Sequence, residues 1–231
     1  MDTSIQAAIG SIRQQIAKAE QEFERGEGSV TLLAVSKTRP AEDIQAAFDA
    51  GQRCFGENYV DEAVKKIDQL AHLPIEWHCI GPLQSNKTRH VAGRFDWFHA
   101  LDRLKIAERL NAQRPAELAP LNVCIQINLD DEASKSGIQP ADAETFIASL
   151  QHLKRLKVRG LMVIPKPRDT FEAQRAALAH IRELQQRLSA RFALDTLSMG
   201  MTDDMRAAIA EGSTMVRVGT AIFGARNYAT P

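Results

Sequence analysis

Lys37 stands at the end of an otherwise apolar run. The segment Thr31-Leu32-Leu33-Ala34-Val35-Ser36-Lys37 reads as a buried β-strand, and on a period of two Lys37 shares a face with Leu33 and Val35. An unpaired buried ammonium is costly. Such a lysine either has a lowered pKa and attacks a carbonyl as a neutral amine, giving a Schiff base, or snorkels to water along its stem. A second cation, Arg217, interrupts the apolar run Met215-Val216-Arg217-Val218. A guanidinium in a strand needs a carboxylate or a ligand acceptor. Two segments suit an anion. In Ser198-Met199-Gly200-Met201-Thr202 and in Gly219-Thr220, the glycines Gly200 and Gly219 permit close backbone approach. Thr202 reads as the N-cap of a helix beginning at Asp203, with its hydroxyl and the following amides facing a ligand. Asp203 and Asp204 weigh against this, because they already complement the helix dipole; the plainer reading is a capped helix start and a turn glycine.

The elements that must position these residues alternate. Ile5, Ile9, Ile12, Ile16 and Phe23 repeat at helical spacing and predict a long first helix ending near Gly26 and Gly28. Strands are then expected over 31–37, 53–56, 76–80, 97–100, 122–128, 158–164, 196–199 and 215–218. Helices are expected over 41–50, 60–70, 105–113, 141–152, 170–189 and 203–210. Pro40 and Pro140 precede two helix starts, and Gly51 and Gly212 follow two helix ends. Eight strands separated by helices in 231 residues predict an α/β fold: one (β/α)8 TIM-type barrel over residues 1–231, with an extra N-terminal helix covering part of its wall. A doubly wound sheet is the alternative, but no G-x-G-x-x-G follows the first strand.

In such a barrel the active face is built from the C-terminal strand ends and the loops after them, with phosphate often held after strands seven and eight. Lys37, Asn58, Met201, Thr202, Arg217, Gly219 and Thr220 all fall there. Closure makes strand one and strand eight neighbours. An amine, an anion cradle and a cationic donor side by side suit a phosphorylated aldehyde, and pyridoxal 5′-phosphate (PLP) is the common cofactor of that kind. Asn58, after Gly56-Glu57, reads as an Asx-turn or as a ligand contact. His78 reads as a satisfied core or rim histidine, Lys135 as solvated, and Trp77 and Trp97 as packing residues.

The bulk numbers exclude several classes. Lys plus Arg (29) equals Asp plus Glu (29), which gives no electrostatic reason to expect nucleic acid or an anionic membrane. The basic stretch from His152 to Lys157 reads as a solvated turn. Cys54, Cys79 and Cys124 are odd in number and lack metal-motif spacing, so free thiols in a reducing compartment and no metal are expected. There is no apolar leader or spanning stretch, and the expectation is an unprocessed cytoplasmic protein.

Six motifs, in order, carry a resemblance that runs from Val30 to Gly224. They are Ala34-Val35-Ser36-Lys37-Thr38, Phe55-Gly56-Glu57-Asn58-Tyr59, Trp77-His78-Cys79-Ile80-Gly81-Pro82-Leu83-Gln84-Ser85-Asn86-Lys87, Ser134-Lys135-Ser136-Gly137, Leu197-Ser198-Met199-Gly200-Met201-Thr202-Asp203-Asp204-Met205, and Val216-Arg217-Val218-Gly219-Thr220-Ala221-Ile222-Phe223-Gly224. The chain resembles the pyridoxal-phosphate homeostasis protein family, which is related to the N-terminal barrel domain of alanine racemase. The resemblance implies that Lys37 forms the internal aldimine and that Arg217 faces the pyridine nitrogen. It also implies that Thr202, Gly219 and Thr220 hold the phosphate with Met201 nearby, and that Asn58 lines the pocket. The family pattern usually has serine where this chain has Thr202; the hydroxyl is retained. It further implies a carrier or buffer of the cofactor in vitamin B6 homeostasis with no settled reaction; the expectation is a non-catalytic carrier that exchanges PLP with apo PLP-dependent enzymes. Alanine racemase adds a second domain and a tyrosine base from a partner subunit. Here seven residues, Tyr228 among them, follow Gly224, and the expectation is a monomeric lone barrel. The competing readings are an amino-acid racemase or lyase using Lys37, and a Schiff-base aldolase acting on a sugar phosphate.

Overall fold

Short runs rich in β-branched, leucine and aromatic residues become eight parallel strands in a computed structural model that describes residues 3–130 and 136–225. They are β1 (Thr31–Val35), β2 (Cys54–Glu57), β3 (Glu76–Cys79), β4 (Trp97–Leu101), β5 (Leu121–Ile127), β6 (Leu156–Val163), β7 (Thr196–Ser198) and β8 (Met215–Val218). They pair in sequence order, and β1 pairs with β8 to close the barrel. The closing seam sets Leu33 opposite Arg217 and Ala34 opposite Val218. Around it stand α1 (Thr3–Glu22), α2 (Ala41–Asp49), α3 (Val60–Gln69), α4 (Thr88–Arg94), α5 (Leu104–Gln113), α6 (Ala143–Leu150), α7 (Phe171–Ser189), α8 (Met205–Ala210) and α9 (Thr220–Phe223). The expected (β/α)8 barrel with an added N-terminal helix is the observed fold. Ser134, Lys135 and Tyr228 lie outside the described residues.

Period-two alternation divides each strand between two environments. Leu32, Ala34, Phe55, Phe98, Val123 and Ile125 are buried in the main core. On the inner face, Leu33, Ile80 and Met215 form a separate small apolar cluster with Val35 and Cys54. Polar side chains share that interior: His78, His99, Ser198 and Arg217 are all buried. Helix α1 buries Ile5, Ile9, Ile12 and Ile16 and packs on α2, α8 and α9, so it covers the wall outside the β1–β8 seam. Its last buried carboxylate, Glu20, accepts the backbone N–H of Val30 at 2.8 Å and of Gly28 at 3.2 Å. That bond pair fixes where β1 begins.

Helix α1 stops at Glu22, earlier than the glycines suggested. Helices α4 and α9 were not expected. The first has seven residues and the second four, too short to show a hydrophobic period. Of the stretch 152–157 expected as a solvated turn, His152 to Arg155 form the turn with Leu153 buried, and Leu156 and Lys157 already belong to β6. No helix among the described residues is long and apolar enough to cross a membrane.

Candidate functional site

A pocket opens at the C-terminal mouth of the barrel, over the seam. Lys37, Asn58, Met201, Thr202, Arg217, Gly219 and Thr220 all line it, so the seven residues singled out from the sequence come together around one cavity. Val35, Arg39, Ile80, Ile164, Phe223 and Gly224 complete the lining. Sequence reasoning did not single out these six. Arg39 alone carried a signal, as a cation in the loop after β1, and its guanidinium bonds the carbonyls of Gly224 and Ala225 (2.8 Å to the latter). It thereby ties the end of α9 to the β1 loop.

Lys37 is not inside the strand. β1 ends at Val35, and Lys37 lies two residues beyond it, half-buried in a turn. Thr38 breaks the extended run with φ +63°, a conformation unusual for a β-branched residue. Its N–H donates to the Glu62 carboxylate of α3 at 2.6 Å. Buried Lys66, also on α3, donates to Ser36 O and to Glu57 Oε1, both at 2.8 Å, and pairs with Glu62. Ser36 Oγ donates to the same Glu57 oxygen at 2.6 Å. Three charged side chains on β2 and α3 therefore fasten the turn that presents Lys37. Burial pushes the Glu57 carboxyl up, against the pull of Lys66 and Ser36.

Arg217 is buried without a carboxylate in bonding contact among the described residues. It donates to Ser198 O at 2.6 Å, Ser198 Oγ at 2.9 Å and Val163 O at 2.8 Å. Burial lowers its pKa to about 10, which leaves it a cation at neutral pH. Behind it a row of side chains runs down the interior. Ser198 Oγ lies 2.9 Å from His99 Nδ1, His99 Nε2 lies 2.9 Å from His78 Nδ1, and His78 Nε2 lies 2.8 Å from Glu76 Oε1. Burial holds the His99 imidazole well below the usual 6.5, so it is neutral. His78 is thus the satisfied interior histidine expected of it, and Trp97 stacks on its ring at 5.4 Å.

The anion side of the pocket departs from expectation in one respect. Thr202 is not an N-cap: α8 starts at Met205, and Asp204 precedes it. Residues 202–204 form a turn, because Asp204 Oδ1 accepts the Met201 N–H at 2.6 Å instead of capping the helix. Gly200 takes φ +98° and its carbonyl accepts Arg217 N–H at 2.9 Å. At Gly219 an added Cβ would stand 3.1 Å from Val35 O, so the absence of a side chain lets α9 approach β1. Asn58 Oδ1 is buried and has no hydrogen-bond partner among the described residues.

Residues 8–227 match the alanine racemase N-terminal domain family. A pyridoxal phosphate homeostasis protein of Pseudomonas aeruginosa is 52% identical over 229 residues, spanning 99% of each chain. The chain belongs to the pyridoxal phosphate homeostasis protein family. Another relative of that name, from Escherichia coli K12, is 55% identical over 224 residues, covering 95% of this chain and 96% of its own. Among solved structures, PipY of Synechococcus elongatus PCC7942 with PLP bound superposes with a TM-score of 0.83 at 38% identity, over 95% of this chain and 100% of that one. Homeostasis-family membership, and not a sugar-phosphate aldolase family, is therefore the context for the pocket at the β1–β8 seam.

Proposed function

We propose that the chain binds PLP at this mouth, holds it through Lys37, and serves as a reversible carrier of the cofactor in vitamin B6 homeostasis. The observation that carries the reading is the convergence on one pocket of an amine, a buried cation and a hydroxyl-and-glycine rim. The names of the relatives and the PLP-bound PipY structure support it. The residues fit the cofactor on three counts. Asn58 Oδ1 is an orphaned buried acceptor beside the pocket, and Arg217 lines the pocket with N–H groups beyond those already donated. Thr202, Gly219 and Thr220 border the same pocket and offer two hydroxyls to an anion. In this reading Lys37 Nζ bonds the aldehyde carbon reversibly with loss of water, Thr202, Gly219 and Thr220 hold the phosphate, and Met201 and Asn58 flank the ring.

Bound PLP supplies an electron sink, whose strength depends on a protonated ring nitrogen. In this reading Arg217, cationic and facing that atom, opposes the proton and weakens the sink, which supports a carrier role; alanine racemase works with an arginine at that place, so the exchange experiment below decides between carrier and enzyme. Thr202 and Thr220 are exposed, which leaves the mouth open for exchange with apo PLP-dependent enzymes. We take the carrier to be a cytoplasmic monomer; its three cysteines are free, and burial pushes each thiol up to about 12.

Soaking the purified protein with PLP and incubating it with single amino acids in deuterated water tests this. A stable visible absorption band with Cα exchange no faster than free PLP gives is expected. Exchange at enzymatic rates would favour a racemase or lyase instead, and a colourless protein would end the cofactor reading.

A further inference from the structure

Opposite the pocket, at the N-terminal mouth of the barrel, three donors of different chemistry converge. Cys54 on β2 and Glu76 on β3 are register partners, and Gly56 pairs with His78 two residues further on. Their side chains project into the same end of the interior. Cys54 Sγ lies 3.6 Å from Glu76 Oε1, which lies 2.8 Å from His78 Nε2. All three donor atoms fall within 4.8 Å of one another. We propose that Cys54 Sγ, a Glu76 carboxylate oxygen and His78 Nε2 form a binding site for a zinc-type divalent ion. The proposal is independent of the cofactor reading.

The donor set and spacing support it. A thiolate, an imidazole and a carboxylate on one ion are typical of zinc, with bonds of about 2.3, 2.0 and 2.1 Å. Tetrahedral geometry at those lengths separates sulfur from oxygen by about 3.6 Å and nitrogen from oxygen by about 3.3 Å. The first separation is already present. The second needs the Glu76 carboxylate to move about half an ångström, and its side chain is 46% exposed. Asp96 Oδ2 accepts the Trp77 N–H at 2.9 Å and is not part of the donor set; the fourth position is assigned to water.

His78 is oriented for ligation from behind. A histidine that binds a metal through one nitrogen nearly always engages the other in a hydrogen bond. Here Nδ1 meets His99 Nε2, and the ring is fixed by Trp97. Without an ion, the ionised Glu76 accepts His78 Nε2–H, His78 Nδ1 accepts from His99, and His99 accepts from Ser198. On binding, the Nε2 hydrogen is replaced by the ion and each imidazole takes its other tautomer. His78 then donates to His99 and His99 to Ser198 Oγ. The histidine hydrogens are conserved, and the single proton released, that of the Cys54 thiol, goes to solvent. Ser198 Oγ, which accepts from Arg217, senses the reversal.

The test uses the full chain with a thiol-free reductant, free of PLP, and Co²⁺ alone as the probe. A thiolate-to-cobalt charge-transfer band that saturates at one ion per chain and is displaced by Zn²⁺ is expected. Cys54→Ser should abolish the band and Cys79→Ser should leave it. Glu76→Gln, at a half-exposed position that does not threaten folding, should weaken binding at least tenfold. Loss of the supporting bond in His99→Gln should weaken it by about 10–100-fold. No charge-transfer band, or one that survives Cys54→Ser, overturns the site.

Discussion

Lys66 Nζ is buried among three oxygens, and all three bear on the turn that presents Lys37. Removing the cation leaves Glu57 buried with one oxygen already unpartnered. Lys66→Met is therefore expected to cost about 3–5 kcal/mol in urea unfolding. Adding Glu57→Gln should recover part of that loss, because a neutral amide no longer needs the cation. If the single variant were as stable as the parent, the network would not be holding the turn. This also marks the limit of legibility at single residues. Lys37 and Arg217 stood out because a cation in an apolar run is conspicuous in the sequence. Nothing nearby announced that Thr38 would be pinned by Glu62, on a helix that had still to form. The apolar run therefore extends two residues past the strand that forms. Thr202 misleads for a similar reason: a hydroxyl before two aspartates fits a helix start, and only the folded loop shows Asp204 turned back onto Met201.

At the scale of elements, the loops that leave the strands shape the pocket, and two contacts test this. An added Cβ at Gly81 would stand 2.3 Å from the Asn58 carbonyl, whereas one at Gly93 meets nothing within 4 Å. Gly81→Ala should displace the β2 loop, lower stability by about 1–3 kcal/mol and weaken PLP binding. Gly93→Ala, inside α4, should stabilise by up to about 1 kcal/mol. Equal thermal midpoints for the two variants would contradict the packing described. The loop after β6 is held by Asp130, which accepts the Lys166 N–H and an Arg168 N–H, both at 2.6 Å. Burial raises the Asp130 carboxyl, but these donors outweigh it and hold it below the usual 3.8. The folded state binds that proton less readily than the unfolded chain. The stability it contributes is present above about pH 3.8 and lost as pH falls below. Asp130→Asn should be less stable at pH 7 and should lose less on acidification, as denaturant melts across pH 3–7 would show. The alternation of apolar strands with helical periods made most elements readable. Helices α4 and α9 escaped because neither completes the two or more turns over which a period shows.

At the scale of the molecule, closure matters most. The barrel brings the first strand against the last with Leu33 opposite Arg217, so a lysine and an arginine from opposite ends of the chain share one cavity. That adjacency followed from counting eight strands, which is why the site could be anticipated before its loops could. What strand counting could not supply was the inner face: the Glu76–His78–His99–Ser198 row depends on which side of each strand turns inward at closure. The central claim is a covalent one, and trapping tests it most directly. The protein is loaded with PLP, reduced with borohydride, digested and mapped by mass spectrometry. The account predicts a pyridoxyl-phosphate mass on the peptide containing Lys37, with Lys37→Ala losing the tag and the visible band while keeping weaker, phosphate-anchored binding. A tag on another lysine, or none at all, would contradict it.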